Sequence, residues 1–149
     1  MSYSDSTETK GVTIIVKYCL KIKALDTWVD VAGRIAFATS EIQGRKVALI
    51  SAYAPNTFNK DFYDALMEQM LELREYSFTV GGDFNAVQDP IYDRSNSTVA
   101  KDQAMVTNTL ESRANSLGLV DLWCFFSARY KSFSRIDFLF ISPQLFQKC

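Results

Sequence analysis

Two polar residues follow a pair of glycines at the end of a short apolar stretch, in the order Gly81-Gly82-Asp83-Phe84-Asn85. Glycines allow a sharp backbone turn, which would present the Asp83 carboxylate and the Asn85 amide together at the edge of a sheet. A hard cation or a phosphate could use such a pair. The same residues also fit a turn in which Asp83 and Asn85 bond only to local backbone, and the pattern alone favours that interpretation.

Polar residues also occur near the ends of two other apolar stretches. Tyr53 and Asn56 flank an Ala-Pro turn after one of them, and Arg135 and Asp137 occupy one face of the other. Taken singly, the first pair is explained by a structural turn and the second by an ion pair. An active site, however, requires polar groups to converge at one rim, and three clusters at strand ends or edges fit that requirement.

The chain contains no histidine, which excludes several kinds of catalysis. Without an imidazole of its own, the chain cannot form Ser-His-Asp or Cys-His machinery or a histidine metal site. Its cysteines are Cys19, Cys124 and Cys149, an odd number without a CxxC pair, which argues against a disulfide framework and a zinc site. We therefore expect a reducing compartment and no disulfide partner.

Length and composition indicate one compact domain. The 149 residues are 48% hydrophobic and 22% charged, without repeats or biased tracts, which excludes a mainly disordered or solenoid protein. The net charge of −1 provides no global field for nucleic acid or membranes, so a polyanion would have to bind at a local patch. No apolar run reaches the ~20 residues of a membrane span, and the N-terminus lacks a signal-peptide core. We expect an intracellular protein, cytoplasmic or nuclear.

Hydrophobic periodicity predicts a mixture of strands and helices. A polar tail at 1–10 is expected to be disordered, and the domain to occupy 11–149. The predicted elements are, in chain order, a strand at 11–16, a hairpin of 34–41 and 46–53 around a Gln43-Gly44 turn, a helix at 61–74 with Asn59 as N-cap, a strand at 77–80, a helix at 101–117 ended by Gly118, a core segment at 119–126, a strand at 135–141, and a helix start with Ser142 as N-cap and Pro143 at its first position. This mixture favours an α/β or α+β sandwich with helices outside the sheets over a parallel doubly wound sheet.

Six phrases in this order resemble the endonuclease/exonuclease/phosphatase superfamily, and within it the apurinic-type endonuclease domain of LINE-1-like retrotransposons. They are GVTIIV at 11–16, SAYAPN at 51–56, GGDFN at 81–85, DP at 89–90 with DR at 93–94, LGLVDLW at 117–123 and SRIDF at 134–138. Each phrase is weak alone, but the set extends over nearly the whole chain from Gly11.

The resemblance implies a four-layer α/β/β/α sandwich, DNase I-like, that hydrolyses a phosphodiester with a divalent metal, usually magnesium. The position matching Asp83 would hold the metal and orient or deprotonate the attacking water. Asn85 would help to hold that water and the phosphate, and Tyr53 would stabilise developing charge. Asp137 would pair with a catalytic histidine. The DNA-facing positions would be Asn56, Ser134 and Arg135.

The chain also departs from the family pattern. Family members carry an Asn and a metal-binding Glu on strands that would lie before Gly11, and a Ser-Asp-His segment after the strand at 135–141; neither is found here. The stretch between Trp123 and Ser134 is shortened as well. We therefore expect an incomplete sandwich, truncated at both ends, in which Asp83 is almost the only charged ligand of a weak magnesium site.

Three functions remain open from the sequence. The first is a metal-dependent endonuclease acting on DNA, weakly active or inactive in this truncated form. The second is a phosphatase of the same superfamily, and the third is a non-catalytic retroelement remnant or nucleic-acid-binding module. Loss of strands would also expose sheet edges, so self-association through those edges is expected, whereas no membrane partner is.

Overall fold

The computed structural model describes residues 2–3, 11–20, 22–85, 101–122 and 137–145. The strands in these ranges are β1 (Ser2–Tyr3), β2 (Ile14–Ile15), β3 (Ala24–Val29), β4 (Ile35–Ile42), β5 (Arg45–Tyr53), β6 (Ser77–Asp83), β7 (Val120–Asp121) and β8 (Asp137–Ile141). The helices are α1 (Lys60–Glu72) and α2 (Lys101–Ser116), and short 3₁₀ helices cover Tyr18–Leu20 and Pro143–Leu145. Six strands form one sheet in the order β3-β4-β5-β6-β8-β7, and β1 pairs with β2 separately.

The predicted hairpin is confirmed as β4 and β5. Gln43 and Gly44 have φ values of 53° and 74°, as a two-residue type I′ turn requires, and Ile42 pairs with Arg45 across it. Helix α1 then connects β5 to β6, which run parallel, whereas the other strand pairs of the large sheet are antiparallel. The large sheet is therefore mixed, and the doubly wound parallel alternative does not apply.

Both predicted helices are confirmed, and they cover the same face of the large sheet. Helix α1 begins where the Asn59 side chain accepts a hydrogen bond from the Phe62 N–H at 3.0 Å. Its apolar stripe, completed by Leu66 and Met70, is buried together with residues of α2 and the sheet. Helix α2 ends before Gly118, whose φ of 63° is that of a left-handed C-terminal cap.

Strand β2 lies on the opposite face of the large sheet. Alternation along β5 turns Ala48 and Ile50 toward the helices, so Leu49 points to the other side, where it lies beside Ile14 and Val16. The described layers are thus a helix pair, a six-stranded sheet and a two-stranded sheet, which correspond to three of the four layers of the expected α/β/β/α sandwich. β2 is shorter than the predicted strand at 11–16, and it pairs with Ser2–Tyr3 of the tail. Residues 4–10 lie outside the described ranges, so the domain boundary stays a prediction.

Two local predictions were wrong. Gly81 and Gly82 do not form a turn, because β6 continues through them to Asp83. The Ser142 hydroxyl oxygen accepts the N–H of buried Phe78 at 2.7 Å instead of capping an α-helix, and the described residues after Ser142 form a 3₁₀ turn. The core segment at 119–126 and the strand at 135–141 are described over 119–122 and 137–141, and their remaining residues lie outside the described ranges.

Two general features concern the expected compartment. Within the described ranges, no helix has the length and apolar content needed to cross a lipid bilayer. Cys19 is exposed and free, and Cys124 and Cys149 lie outside those ranges.

Candidate active site

Strand register places three of the predicted site residues in one row. Tyr53, the last residue of β5, pairs with Asp83, the last residue of β6, and Asp83 pairs with Asp137, the first residue of β8. Neighbouring strands lie about 4.8 Å apart, so this rim row of Tyr53, Asp83 and Asp137 spans about 10 Å. The expected convergence is confirmed for the backbone, whereas the chemical roles of these residues stay a prediction.

The rim row lies on the sheet face opposite the helices. Phe78 and Val80 of β6 point into the helix-covered core, so alternation directs Asp83 to the other face. Tyr53 follows buried Ala52 in the same way, and both Tyr53 and Asp83 are half-buried. These two residues are therefore partly open to solvent.

Close approach of β5 explains the glycine that precedes Asp83. A Cβ atom at Gly82, whose φ is 155°, would lie 1.8 Å from the Ala52 carbonyl oxygen, so no side chain fits there. Past this contact the pairing continues, because the Ala54 N–H donates to the Asp83 carbonyl oxygen at 2.8 Å. Gly82 thus lets the ends of β5 and β6 stay side by side.

Asn85 closes a tight turn directly after β6. Its φ of 47° is unusual for a residue other than glycine, and two hydrogen bonds hold it there. The Asn85 N–H donates to the Asp83 carboxylate oxygen Oδ1 at 2.9 Å, and Nδ2 donates to the Ala54 carbonyl oxygen at 2.8 Å. The local-backbone interpretation from the sequence is therefore correct for these two bonds. The functional interpretation of Asn85 stays a prediction.

Phe84 anchors this turn to the core and was not identified from the sequence. Its side chain is fully buried, and its ring meets Phe138 and Phe140 of β8 edge to face at centroid distances of 6.0 Å. The Tyr63 hydroxyl on α1 donates to the Phe84 carbonyl oxygen at 3.3 Å. Burial raises the pKa of Tyr63 to about 12, so this hydroxyl keeps its proton at neutral pH. Tyr63 is spaced three residues before Leu66 of the apolar stripe, a helical spacing that could have marked it as buried.

Arg34 extends the row by one strand and was also missed. It lies opposite Tyr53, whose N–H donates to the Arg34 carbonyl oxygen at 2.8 Å. The guanidinium lies 5.3 Å from the centre of the Tyr53 ring, and Nη1 donates to the Tyr53 carbonyl oxygen at 3.2 Å. Asp30 accepts the N–H groups of Arg34 and Ile35 at 2.6 and 2.7 Å and so fixes the preceding turn. A two-residue hairpin turn at Gln43-Gly44 already pairs Arg34 with Tyr53, so the sequence contained this signal.

The remaining predicted residues lie less centrally or outside the described ranges. Asn56 is exposed on the bend that follows Tyr53. Ser134 and Arg135 fall in the part of the chain that the structure does not describe, so their DNA-facing roles stay predictions.

Oxygen donors at the rim fit magnesium only as a partial site. Among the described side chains, no three His, Cys, Asp or Glu residues come together as a metal-binding group. Magnesium in proteins is commonly bound through one or two carboxylates together with waters and substrate phosphates. Asp83, with Asp137 opposite it in register, matches that minimal set and not a closed metal cage.

Comparison with known proteins shows the fold. No protein-family model matches the chain. A 3'-5' exonuclease from Neisseria meningitidis superposes with a TM-score of 0.62 and 18% identity over 83% of this chain and 60% of that one. An AP endonuclease from Leishmania major gives 0.61 and 16% over 76% and 47%. The endonuclease domain of TRAS1, a telomere-specific non-LTR retrotransposon, gives 0.51 and 19% over 81% and 55%.

The likeness to these structures shows a DNase I-like α/β fold, and the expected fold class is thereby confirmed. The chain spans about half to three fifths of the length of the structures it matches.

Proposed function

We propose that this chain binds the phosphate backbone of DNA at the rim row together with magnesium, as a domain of metal-dependent phosphodiesterase type. The observation that carries the proposal is the register that sets Tyr53, Asp83 and Asp137 side by side at the end of three strands. Structural neighbours named as an exonuclease and an AP endonuclease support the choice of a nucleic-acid phosphodiester over other ligands.

Each residue of the site has a chemical part in this proposal. Asp83 would hold magnesium together with a substrate phosphate and waters, and the bound ion would stabilise negative charge on the phosphoryl oxygens. The Tyr53 hydroxyl would donate a hydrogen bond to a phosphate oxygen, and the Asn85 amide would orient a water near Asp83. Arg34 adds a permanent positive charge beside Tyr53, which attracts the polyanion locally although the chain carries a net charge of −1.

Hydrolysis by this chain is expected to be slow. General acid–base help contributes about 10²–10⁴-fold to such reactions, and this chain offers Asp137 no imidazole partner, since it contains no histidine. Binding and turnover are therefore separable, and a non-catalytic DNA-binding module is the limiting case of the same proposal.

The test measures binding and cleavage with the same variants. Fluorescence anisotropy of a labelled duplex oligonucleotide, with magnesium and with EDTA, is compared for the wild type, Asp83→Asn and the control Glu68→Gln. Glu68 is an exposed residue on α1, and its substitution makes the same change in charge away from the rim.

We expect magnesium to tighten binding by the wild type and by Glu68→Gln. Asp83→Asn should lose that gain by about tenfold or more, since a contact to a charged group is worth ~1.5–3 kcal/mol. Nicking of supercoiled plasmid should be barely detectable in all three. Equal magnesium dependence in Asp83→Asn would refute the site, and fast nicking abolished by Asp83→Asn would show that the missing imidazole does not matter. Release of phosphate from a small phosphomonoester without DNA binding would favour a phosphatase.

A further inference from the structure

A buried hydroxyl of helix α1 contacts the backbone of the candidate site from behind the sheet. Tyr63 is 3% exposed, and its hydroxyl donates to the carbonyl oxygen of Phe84, the residue between Asp83 and Asn85. Phe84 is 0% exposed, so this bond lies away from bulk solvent. The contact links helix α1, on one face of the sheet, to the residue between Asp83 and Asn85, and Asp83 points to the other face.

The turn at Asn85 benefits from such support, because its left-handed backbone conformation is less favourable than the right-handed one, although asparagine tolerates it better than most residues. A non-glycine residue with φ near +47° persists only where its surroundings hold it. Two of the holding bonds come from the rim itself, at Asp83 and Ala54, and the Tyr63 hydroxyl holds the peptide unit that directly precedes Asn85. If the φ of Asn85 became negative, the peptide between Phe84 and Asn85 would rotate, and the Asn85 N–H would move away from the Asp83 carboxylate.

The packing beside this contact leaves room for such a rotation. A cavity of about 30 Å³ lies between the helices and the sheet, and its lining includes Tyr63, Phe84 and Phe140. A carbonyl that loses its donor can therefore move instead of being held by tight packing. The Tyr63 hydroxyl therefore adds a hydrogen bond to the packing that holds the Phe84 peptide.

We propose that Tyr63 is a positioning residue, which sets the orientation of the Asp83 and Asn85 side chains by holding the Phe84 carbonyl. Its effect on ligand affinity rests on the proposed function, whereas its effect on the turn does not. Loss of the hydroxyl should release Asn85 from its left-handed conformation and weaken the magnesium-dependent phosphate site without unfolding the domain.

The experiment compares Tyr63→Phe with two controls in the full chain. Tyr76→Phe also removes a hydroxyl, but Tyr76 is half-buried and its hydroxyl has no hydrogen bond among the described residues. Leu66→Val lowers core stability on the same helix without touching the Phe84 carbonyl. Hydrogen exchange of the Asn85 amide, measured by NMR, reports the turn, and oligonucleotide anisotropy with magnesium reports the site.

Tyr63→Phe is expected to speed Asn85 amide exchange about tenfold more than Leu66→Val does at matched thermal stability, and to weaken magnesium-dependent binding about tenfold, which corresponds to ~1.4 kcal/mol. Tyr76→Phe should change neither. Asn85 exchange equal in Tyr63→Phe and Leu66→Val would overturn the positioning role, as would faster exchange with unchanged affinity. Where the wild type shows no magnesium-dependent binding, the proposed function fails, and the exchange comparison alone decides whether Tyr63 positions the turn.

Discussion

A methyl group at position 82 should separate the two strands that carry Tyr53 and Asp83. In Gly82→Ala the new Cβ would lie 1.8 Å from the Ala52 carbonyl oxygen, 2.8 Å from its carbonyl carbon and 2.9 Å from its nitrogen. All three atoms belong to the backbone of β5, so no side chain can turn aside to relieve the overlap. The parallel pairing of Ala52 with Gly82 must open, and the neighbouring pair Tyr53 and Asp83 opens with it.

The cost can be set against two other glycines of the same protein. Overpacking of this kind costs ~1–3 kcal/mol and occasionally more, and the φ of 155° adds strain, so we expect about 3 kcal/mol for Gly82→Ala. Gly44→Ala meets no atom within 4 Å but has a φ of 74°, so it should lose ~1–2 kcal/mol through backbone strain alone. Gly81→Ala makes only an ordinary contact of 3.4 Å with the Leu139 side chain. It should be neutral or stabilising by up to ~1 kcal/mol, because alanine restricts the unfolded chain.

Urea unfolding and thermal melts of the three variants provide the assay. Gly82→Ala should lower Tm by about 6–12 °C, since 1 kcal/mol corresponds to ~2–4 °C for a domain of this size. Its effect on magnesium-dependent oligonucleotide binding should exceed that of Gly44→Ala at temperatures where both are folded. Equal stability of Gly82→Ala and Gly81→Ala would refute the close approach of β5 and with it the geometry of the rim.

Three further substitutions test the local structure. Asp64→Asn should lower Tm at pH 7 but have little effect near pH 2. A hydrogen bond from Lys60 is the largest cause that lowers the pKa of Asp64 in the folded protein. The contribution of Asp64 to stability is therefore present above the ordinary Asp pKa and is lost as the pH falls through the pKa in the folded protein. Ser142→Ala should cost ~1–3 kcal/mol in urea unfolding, because it leaves the buried Phe78 N–H without its acceptor. Asn59→Ala should cost ~1 kcal/mol by the same measurement through loss of the α1 cap.

Each of these substitutions has a matched control. Asn59→Asp keeps an oxygen acceptor at the N-cap and should retain most of the stability. Ser116→Ala removes an exposed hydroxyl and should be nearly neutral. A Tm difference between the wild type and Asp64→Asn that does not shrink at low pH would contradict the stabilising contact of Lys60 with the Asp64 carboxylate. Equal losses for Ser142→Ala and Ser116→Ala would contradict burial of the Phe78 bond.

Structural features that depend on residues near in sequence were predictable. Features that depend on contacts between strands distant in sequence were not. The hairpin turn at Gln43-Gly44, the Asn59 cap and the Gly118 cap follow from local backbone requirements, and all three were predicted. The role of Gly82 was misread as a turn, because its need for glycine comes from the backbone of a strand thirty residues earlier. Ser142 precedes a proline, as an N-cap often does, but its hydroxyl accepts the Phe78 N–H of the neighbouring strand. This contact too depends on a strand that is distant in sequence.

In the candidate site, too, the strand-end residues were predicted from the sequence and their tertiary contacts were not. Tyr53, Asp83 and Asp137 were predicted as site residues because each lies at or near the end of a predicted strand. The observed register brings them together. The groups that hold them were not predicted. Tyr63 had the spacing of a core residue, and nothing in its sequence context indicates that its hydroxyl meets the Phe84 carbonyl.

Binding of manganese in place of magnesium tests directly whether Asp83 holds a divalent metal beside DNA phosphate at the rim row. Crystals of the wild-type chain with a short DNA duplex and Mn²⁺ would be measured at the manganese absorption edge, where the ion is located by its anomalous signal. We expect a peak within direct coordination distance of the Asp83 carboxylate, beside a DNA phosphate and in line with Tyr53 and Asp137, and no such peak in Asp83→Asn. A metal and phosphate bound elsewhere, or a peak that persists in Asp83→Asn, would contradict it.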